Sequence, residues 1–180
     1  MSASLKRFIA LIPIVLLISA SAIQAQDRLS EHLAPLEPFV GKTWKGTMVQ
    51  TEGEKPSYDV SRWERALNGQ AVRILHSLNN GEYGGETLIV WDRDKKELVF
   101  YYFTTAGFFT HGTISVEGDK MVSHEYVTGN ANGITEVKAI GTIRPDGKLH
   151  SKSQYLKDGQ WIDGHEILYE EDPAAKVIFK

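Results

Sequence analysis

The histidines are the residues of this sequence whose type and spacing could support chemistry. An imidazole can ligate a metal ion and can accept or donate a proton near neutral pH. Four of the six histidines are predicted to lie on one face of a β-sheet, namely His76, His111, His124 and His165. His111 and His124 would be diagonal neighbours on adjacent strands, close enough to share a metal ion or a polar group of a ligand. Whether they meet depends on the strands that carry them.

Residues 87–127 show what kind of element carries these histidines. They contain apolar runs of five to nine residues that are rich in β-branched and aromatic side chains, and clusters of Gly, Asp or Lys separate the runs. This pattern is typical of consecutive β-hairpins. The chemistry-bearing side chains are therefore expected to sit on antiparallel strands joined by short turns.

The register of these hairpins predicts which side chains share a face. A two-residue turn at residues 118–119 pairs His111 with Tyr126 and Thr113 with His124. The alternation of side chains, continued through the turns at residues 106–107, 94–95, 146–147 and 158–159, defines a predicted inner face. Its proposed ligand-binding residues are Trp63, Trp91, Phe100, Tyr102, Phe109, His111, His124, Tyr126, Tyr155, Trp161, His165 and Tyr169. The opposite face carries Leu88, Val90, Val99, Tyr101, Phe103, Ile114, Met121 and Glu125.

The whole chain after its first residues follows the same plan. Strands are predicted at residues 43–51, 57–67, 70–78, 86–92, 97–104, 108–117, 120–128, 134–144, 148–157 and 160–170, and the one helical segment is a short one within residues 27–39. An open meander of about ten strands would leave two long edges exposed. Closure removes both edges, so we predict an all-β fold: a single antiparallel up-and-down β-barrel of about ten strands with a short N-terminal helix.

The later strands agree with a barrel that has one polar face. Glu136 and Lys138 alternate with Val137 and Ala139, and the outward side chains of the next strand are His150, Lys152 and Gln154. The predicted inward side chains there are Leu149, Ser151, Ser153 and Tyr155. Two Asp-Gly turns, each with a one-residue bulge, place Trp161, Asp163, His165, Ile167 and Tyr169 on the inner face as well.

The N-terminus has the features of an export signal. Lys6 and Arg7 precede an apolar stretch at residues 8–20, and small residues follow it, so residues 1–25 are predicted to be a signal peptide cleaved after Ala22 or Ala25. The remaining domain, residues 26–180, has 18 basic and 23 acidic residues, a net charge of −5, and no basic patch that would indicate nucleic-acid binding. The chain has no cysteine, which excludes disulfides, thiolate metal sites and a lipid-linked cysteine anchor. We expect a bacterial periplasmic or secreted protein with no stable membrane anchor after signal cleavage.

Short motifs add a resemblance to a known superfamily. The segment Gly41-Lys-Thr-Trp44-Lys-Gly46 after a short helix resembles the Gly-x-x-Trp-x-Gly opening of calycin barrels. Trp63, the Leu-Asn-Gly-Gln segment at residues 67–70 and the Trp91-Asp92 strand end make the chain similar to bacterial exported lipocalin-like domains. The resemblance implies the barrel fold and no activity. The superfamily includes fatty-acid carriers and haem-binding nitrobindins, and His165 would lie where nitrobindins place their iron ligand, although the residues around it do not match.

Three functional hypotheses follow. The first is an exported barrel that binds a small, largely apolar molecule in an aromatic-lined interior. The second is a structural or interaction protein whose barrel is filled and whose exposed surface carries Tyr101, Phe103 and Phe108. The third is a metal or haem site built from His111, His124 and His165. No sequence motif for a catalytic serine, zinc protease, dinucleotide or phosphate site is present, so the motifs indicate neither an enzyme nor a required cofactor.

Overall fold

The ten predicted strands form one closed antiparallel barrel. The computed structural model describes residues 28–49 and 56–180, so the predicted signal peptide lies outside the described residues. The strands are β1 (Thr43–Met48), β2 (Tyr58–Ala66), β3 (Ala71–Leu78), β4 (Tyr83–Asp92), β5 (Glu97–Thr104), β6 (Phe109–Glu117), β7 (Lys120–Ala131), β8 (Ile134–Ile143), β9 (Leu149–Lys157) and β10 (Gln160–Glu171). Each strand pairs with its neighbours in sequence, and β1 closes the barrel by pairing with both β2 and β10. The predicted fold class is confirmed.

The turn chemistry read from the sequence explains several of these hairpins. Asn132-Gly133 and Asp158-Gly159 both have positive φ at their two residues, the backbone conformation that matches the twist of a two-residue hairpin. The hairpin at residues 118–119 is also confirmed, with Glu117 opposite Lys120. The relative register of β6 and β7 was therefore correct.

The hairpin between β5 and β6 differs from the prediction by one residue. Phe103 lies opposite Phe109, because the connection is a three-residue loop at residues 105–107 in which Gly107 has a φ of 83°. A glycine in the left-handed region is typical of this longer loop, and the extra residue shifts the pairing by one position. The shift turns β6 and β7 over relative to β5. Phe109, His111, Thr113, Val122, His124 and Tyr126 therefore lie on the outside of the barrel, whereas Ile114, Met121 and Glu125 face the interior.

A second displacement occurs within β10. The Asp158-Gly159 turn is regular, so Trp161 pairs with the outward Leu156, and the bulge comes later, between Asp163 and Glu166. Gly164 lies at this bulge, where a side chain would collide with Ser153 and Tyr155. After the bulge His165, Ile167 and Tyr169 face the interior as predicted, whereas Trp161 and Asp163 do not.

A hydrophobic cluster closes one end of the barrel. The N-terminal segment forms a 3₁₀ helix at Glu31–Leu36, which is shorter than the predicted segment and contains Pro35. Leu33, Leu36 and Phe39 from this segment are fully buried against Trp44. The indole N–H of Trp44 donates to the carbonyl of Phe39 at 3.3 Å. None of the helical segments in the described part of the chain has the length and apolarity needed to cross a membrane.

The closed end should contribute strongly to stability. We expect Leu33→Ala to lower the free energy of unfolding by about 3 kcal/mol, because it removes buried methyl groups and leaves a cavity. Val49→Ala is the matched control, since Val49 is exposed, and its effect should stay within about 0.5 kcal/mol. Urea denaturation followed by tryptophan fluorescence measures both. Equal effects of the two substitutions would contradict the assignment of the cluster as a stabilising core.

Candidate functional site

The interior between the closed end and the opposite rim of the barrel is an open cavity of about 840 Å³. Its rim includes Ala106, Asn132 and His165, which are exposed, and its floor lies above the closed-end cluster. The apolar part of the wall includes Trp63, Ile74, Phe100, Phe108, Ile114, Met121, Val127, Val137 and Ile167. The polar part includes Asp59, Ser61, His76, Tyr83, Tyr102, Thr110, Ser123, Glu125, Ser151, Ser153, Tyr155 and Tyr169.

The twelve predicted site residues separate into three groups. Six line the cavity, namely Trp63, Phe100, Tyr102, Tyr155, His165 and Tyr169. Trp91 belongs to the closed end, where its ring stacks on His32 with 4.1 Å between ring centroids. The other five lie on the outer surface because of the two register displacements described above, namely Phe109, His111, His124, Tyr126 and Trp161.

A chain of hydrogen bonds runs through the polar wall. The Nδ1–H of His76 donates to Oδ1 of Asp59 at 2.8 Å, and the hydroxyl of Tyr169 donates to Oδ2 of the same carboxylate at 3.0 Å. Nε2 of His76 is 2.7 Å from the hydroxyl of Tyr102, which in turn is 3.0 Å from the hydroxyl of Tyr83. Asp59 is only 3% exposed, so these two bonds replace the water that its carboxylate would otherwise bind.

These hydrogen bonds hold the imidazole of His76 in one orientation. Asp59 bonds one ring nitrogen and a tyrosine hydroxyl the other, so the ring can neither flip nor leave the wall without breaking two hydrogen bonds. The same arrangement would suit a general base or a fixed binding group, because each requires an oriented imidazole. The strand pairing supplies the geometry, since Asp59, His76 and Tyr102 come from β2, β3 and β5.

Glu125 is the second acidic group of the cavity. Its carboxyl accepts a hydrogen bond from the hydroxyl of Thr110 on the neighbouring strand. Burial raises the pKa of Glu125, and the hydrogen bond from Thr110 and the nearby His76 only partly oppose this effect. The charged form of Glu125 is therefore poorly solvated in the cavity.

The tyrosines of the cavity wall stay protonated. Burial raises the pKa of Tyr83, Tyr102, Tyr155 and Tyr169, and the negative charge of Glu125 or Asp59 adds to the effect at each of them. Their hydroxyls are thus neutral groups that can donate or accept hydrogen bonds. The cavity combines a mostly apolar wall with a fixed set of such groups.

The three histidines of the metal or haem hypothesis do not lie on one face, as the predicted register required. His165 lies at the rim beside Tyr155, while His111 and His124 lie on the outside, where Nε2 of His124 is 2.6 Å from Glu136. The barrel wall therefore separates His165 from the other two members of the predicted cluster. Among residues 28–49 and 56–180, no group of three or more His, Asp or Glu side chains is placed to hold a metal ion.

Sequence reasoning missed the acidic groups of the cavity. The register error at residues 105–107 places Glu125 on the opposite face. Tyr83, a further lining residue that was missed, lies just before the predicted start of its strand. Asp59 had a signal, because Asp59, Ser61 and Trp63 alternate along β2 and the inward position of Trp63 was recognised. Two polar residues in step with an inward tryptophan indicate a polar patch on the inner wall.

Comparisons with known proteins support the fold and no more. No protein-family model matches the sequence, and no curated protein matches it. Among solved structures, the barrel is similar to the crystal structure of Rv2717c from M. tuberculosis, with a TM-score of 0.59 and 15% sequence identity. The similarity covers 80% of this chain and 99% of that chain. At this identity it supports a common barrel architecture, while the resemblance to lipocalin-like domains stays a prediction.

The raised pKa of Glu125 predicts how stability changes with pH. The folded barrel holds the carboxyl proton more tightly than the unfolded chain does, so burial of Glu125 costs stability as the pH rises above 4.5, the ordinary value. Glu125→Gln removes this cost. We expect the melting temperature of the variant to rise relative to that of the wild type between about pH 4 and about pH 8.

Calorimetry at a series of pH values measures this difference. Glu117→Gln is the matched control, because Glu117 is exposed on the adjacent strand β6. A difference between Glu125→Gln and wild type that is constant over this pH range would contradict the assignment of Glu125 as a poorly solvated carboxyl.

Proposed function

We propose that this protein is an exported barrel that binds a small, largely apolar molecule in its cavity. The observation that carries the proposal is the cavity itself, since about 840 Å³ lies within the range of about 300–1,000 Å³ typical of small-molecule sites. A barrel whose only role was structural would gain stability by filling such a space with side chains.

The composition of the wall supports a largely apolar guest. Trp63, Phe100 and Ile114 offer apolar contacts above the closed end, while Tyr83 and Glu125 offer hydrogen bonds. A guest with an apolar body and one polar group would satisfy both parts of the wall. Polar groups placed in this way orient a ligand, and the apolar contacts supply most of its affinity.

The N-terminal sequence supports export. Lys6 and Arg7 followed by the apolar stretch at residues 8–20 form the pattern of a signal peptide, so the proposal places the domain of residues 26–180 in the periplasm or outside the cell. The proposed function requires no cofactor. The haem alternative depends on His165 alone, and a haem titration that produced a Soret band absent from His165→Ala would favour it over the present proposal.

A second candidate function is self-association through the outside of the barrel. Tyr101 and Phe103 are 48% and 50% exposed, and Phe109, Tyr126 and Trp161 are also exposed; together these five define the outer aromatic surface. The strand pairing of Tyr101, His111 and Tyr126 makes part of it a continuous row. Phe108, which was expected to join this surface, lines the cavity instead, because it closes the three-residue loop.

The proposed ligand binding leads to a prediction about the cavity. We expect N-phenyl-1-naphthylamine, a neutral apolar fluorophore, to bind the mature protein with increased fluorescence. Ser123→Trp should weaken this binding by at least about tenfold, or about 1.4 kcal/mol, because Ser123 lines the cavity and the larger ring would occupy the space of the guest.

Val122→Trp is the matched control for this experiment, since Val122 is the next residue on the same strand and is exposed on the outside. It should leave the affinity unchanged. Equal effects of the two substitutions, or no binding by the wild type, would contradict the proposal. If the wild type binds the fluorophore, native mass spectrometry of gently purified protein would identify the small molecule that it binds in the cell.

The proposed self-association leads to a prediction about the outer aromatic surface. Lys138 and Glu136 lie on the same outside wall, with the ammonium of Lys138 4.3 Å from the ring of Trp161. Aromatic side chains beside charges of both signs suit contact with a second copy of this chain. Sedimentation velocity should show dimers that are lost in the double variant Phe103→Ser/Phe109→Ser. A wild type that remains monomeric at millimolar concentration would exclude this function.

A further inference from the structure

We propose that the cavity recognises a positively charged amphiphile, an alkyl ammonium whose head group binds the carboxylate of Glu125. This inference rests on the proposed ligand-binding function and names the chemical class of the guest. Three features of the described residues carry it: the incomplete hydrogen bonding of Glu125, the absence of Lys and Arg from the cavity wall, and the length of apolar wall beside the carboxyl.

Glu125 has unused capacity for hydrogen bonds. A carboxylate can accept about four, and in the part of the chain that the structure describes, the bond from Thr110 is the one it receives. Asp59 differs, because His76 and Tyr169 bond both of its oxygens. Glu125 is therefore the acidic group that is still available to a guest.

The described lining residues include neither Lys nor Arg, so no permanently charged cation of the wall faces this carboxyl. The titratable groups that share the interior with Glu125 are Asp59 on β2, His76 on β3, Tyr83 on β4, Tyr102 on β5, Tyr155 on β9 and His165 and Tyr169 on β10. The tyrosines are neutral, and His76 is already bonded at both ring nitrogens.

This distribution of charge discriminates between head groups. An ammonium would give Glu125 a favourable charge interaction in place of the hydration that burial removes. Its N–H groups could donate to the carboxylate and to tyrosine oxygens. A carboxylate head group would meet Asp59 and Glu125, and the described wall has no Lys or Arg to receive it. The cavity is thus complementary to a cationic amphiphile and unfavourable to a fatty acid.

The apolar part of the wall is placed to hold the tail of such a guest. Ile114 and Met121 lie on the same two strands as Thr110 and Glu125, on the inner face and toward the closed end. Phe100 packs on the same wall, where Gly112 leaves space for its ring. An alkyl chain could therefore run from Glu125 to the closed-end cluster in contact with apolar side chains.

The experiment compares three guests of nine carbon atoms each that differ in the head group: nonylamine, nonanol and nonanoate. At about pH 7.5 the amine is cationic and the acid anionic. Isothermal titration calorimetry with the mature protein should give a dissociation constant for nonylamine at least about tenfold below those for nonanol and nonanoate, a difference of about 1.4 kcal/mol.

Variants then locate the recognition at Glu125. Glu125→Gln should weaken nonylamine binding by about tenfold and leave nonanol binding unchanged within about twofold. Binding of nonanol by the variant also shows that its barrel is folded. Glu117→Gln is the matched control, because it removes a negative charge from an exposed position on the adjacent strand β6, and it should preserve the preference for the amine.

The pH dependence provides a further test. Lowering the pH toward 4.5, the ordinary pKa of a glutamate, should weaken nonylamine binding to the wild type, because the raised pKa of Glu125 favours uptake of a proton that must leave before the ion pair forms. Glu125→Gln should lose most of this pH dependence, because the variant has no carboxyl at position 125.

The outcomes separate this inference from the proposed function. Binding of nonanoate as tightly as nonylamine, or a Glu125→Gln variant that keeps the preference for the amine, would overturn the cationic guest while leaving an apolar-ligand barrel in place. Failure of all three guests and of N-phenyl-1-naphthylamine to bind would overturn both. The comparison of head groups on the wild type decides the question even if Glu125→Gln fails to fold.

Discussion

Closure of the sheet is the constraint on which the rest of this structure depends. Each of the ten strands has a hydrogen-bonded neighbour on both sides, so no strand can shift along its axis without breaking two ladders. Because side chains alternate between the two faces of a strand, a fixed register also decides which residues see the interior. The cavity, the row of hydrogen bonds along its polar wall and the outer aromatic surface are all consequences of that one set of pairings.

The sequence predicted the architecture well, because strand composition and turn dipeptides are local signals. The Asn-Gly and Asp-Gly turns, the confirmed hairpin at residues 118–119 and the inward alternation of β9 all follow from residues close together in the chain. The site was predicted less well, because a register error at one loop carries into the following strands until an irregularity offsets it, as the irregularity between β7 and β8 does for β9. One extra loop residue beside Gly107 moved His111 and His124 outside and brought Glu125 in.

The bulge in β10 shows the same limit in another form. The prediction required one extra residue to bring His165 inward and placed it at the turn, whereas the structure places it between Asp163 and Glu166. Both positions of the bulge place His165 and Tyr169 inside the barrel, but they place Trp161 on opposite faces of the sheet. A bulge inside a strand has no turn dipeptide to mark it, and here only Gly164, with no side chain to accommodate, was available as a signal.

The closed-end cluster has a consequence for kinetics. Since Leu33, Leu36 and Phe39 are packed against Trp44, the barrel formed by the described residues is closed at one end and open at the rim. Under the proposed ligand-binding function, a guest would leave by the path along which it entered. Residence time would then be set at the rim, where Ala106, Asn132 and His165 stand. Substitutions at the rim should change the rates of capture and release by a common factor, whereas substitutions at the cavity wall should change the release rate alone.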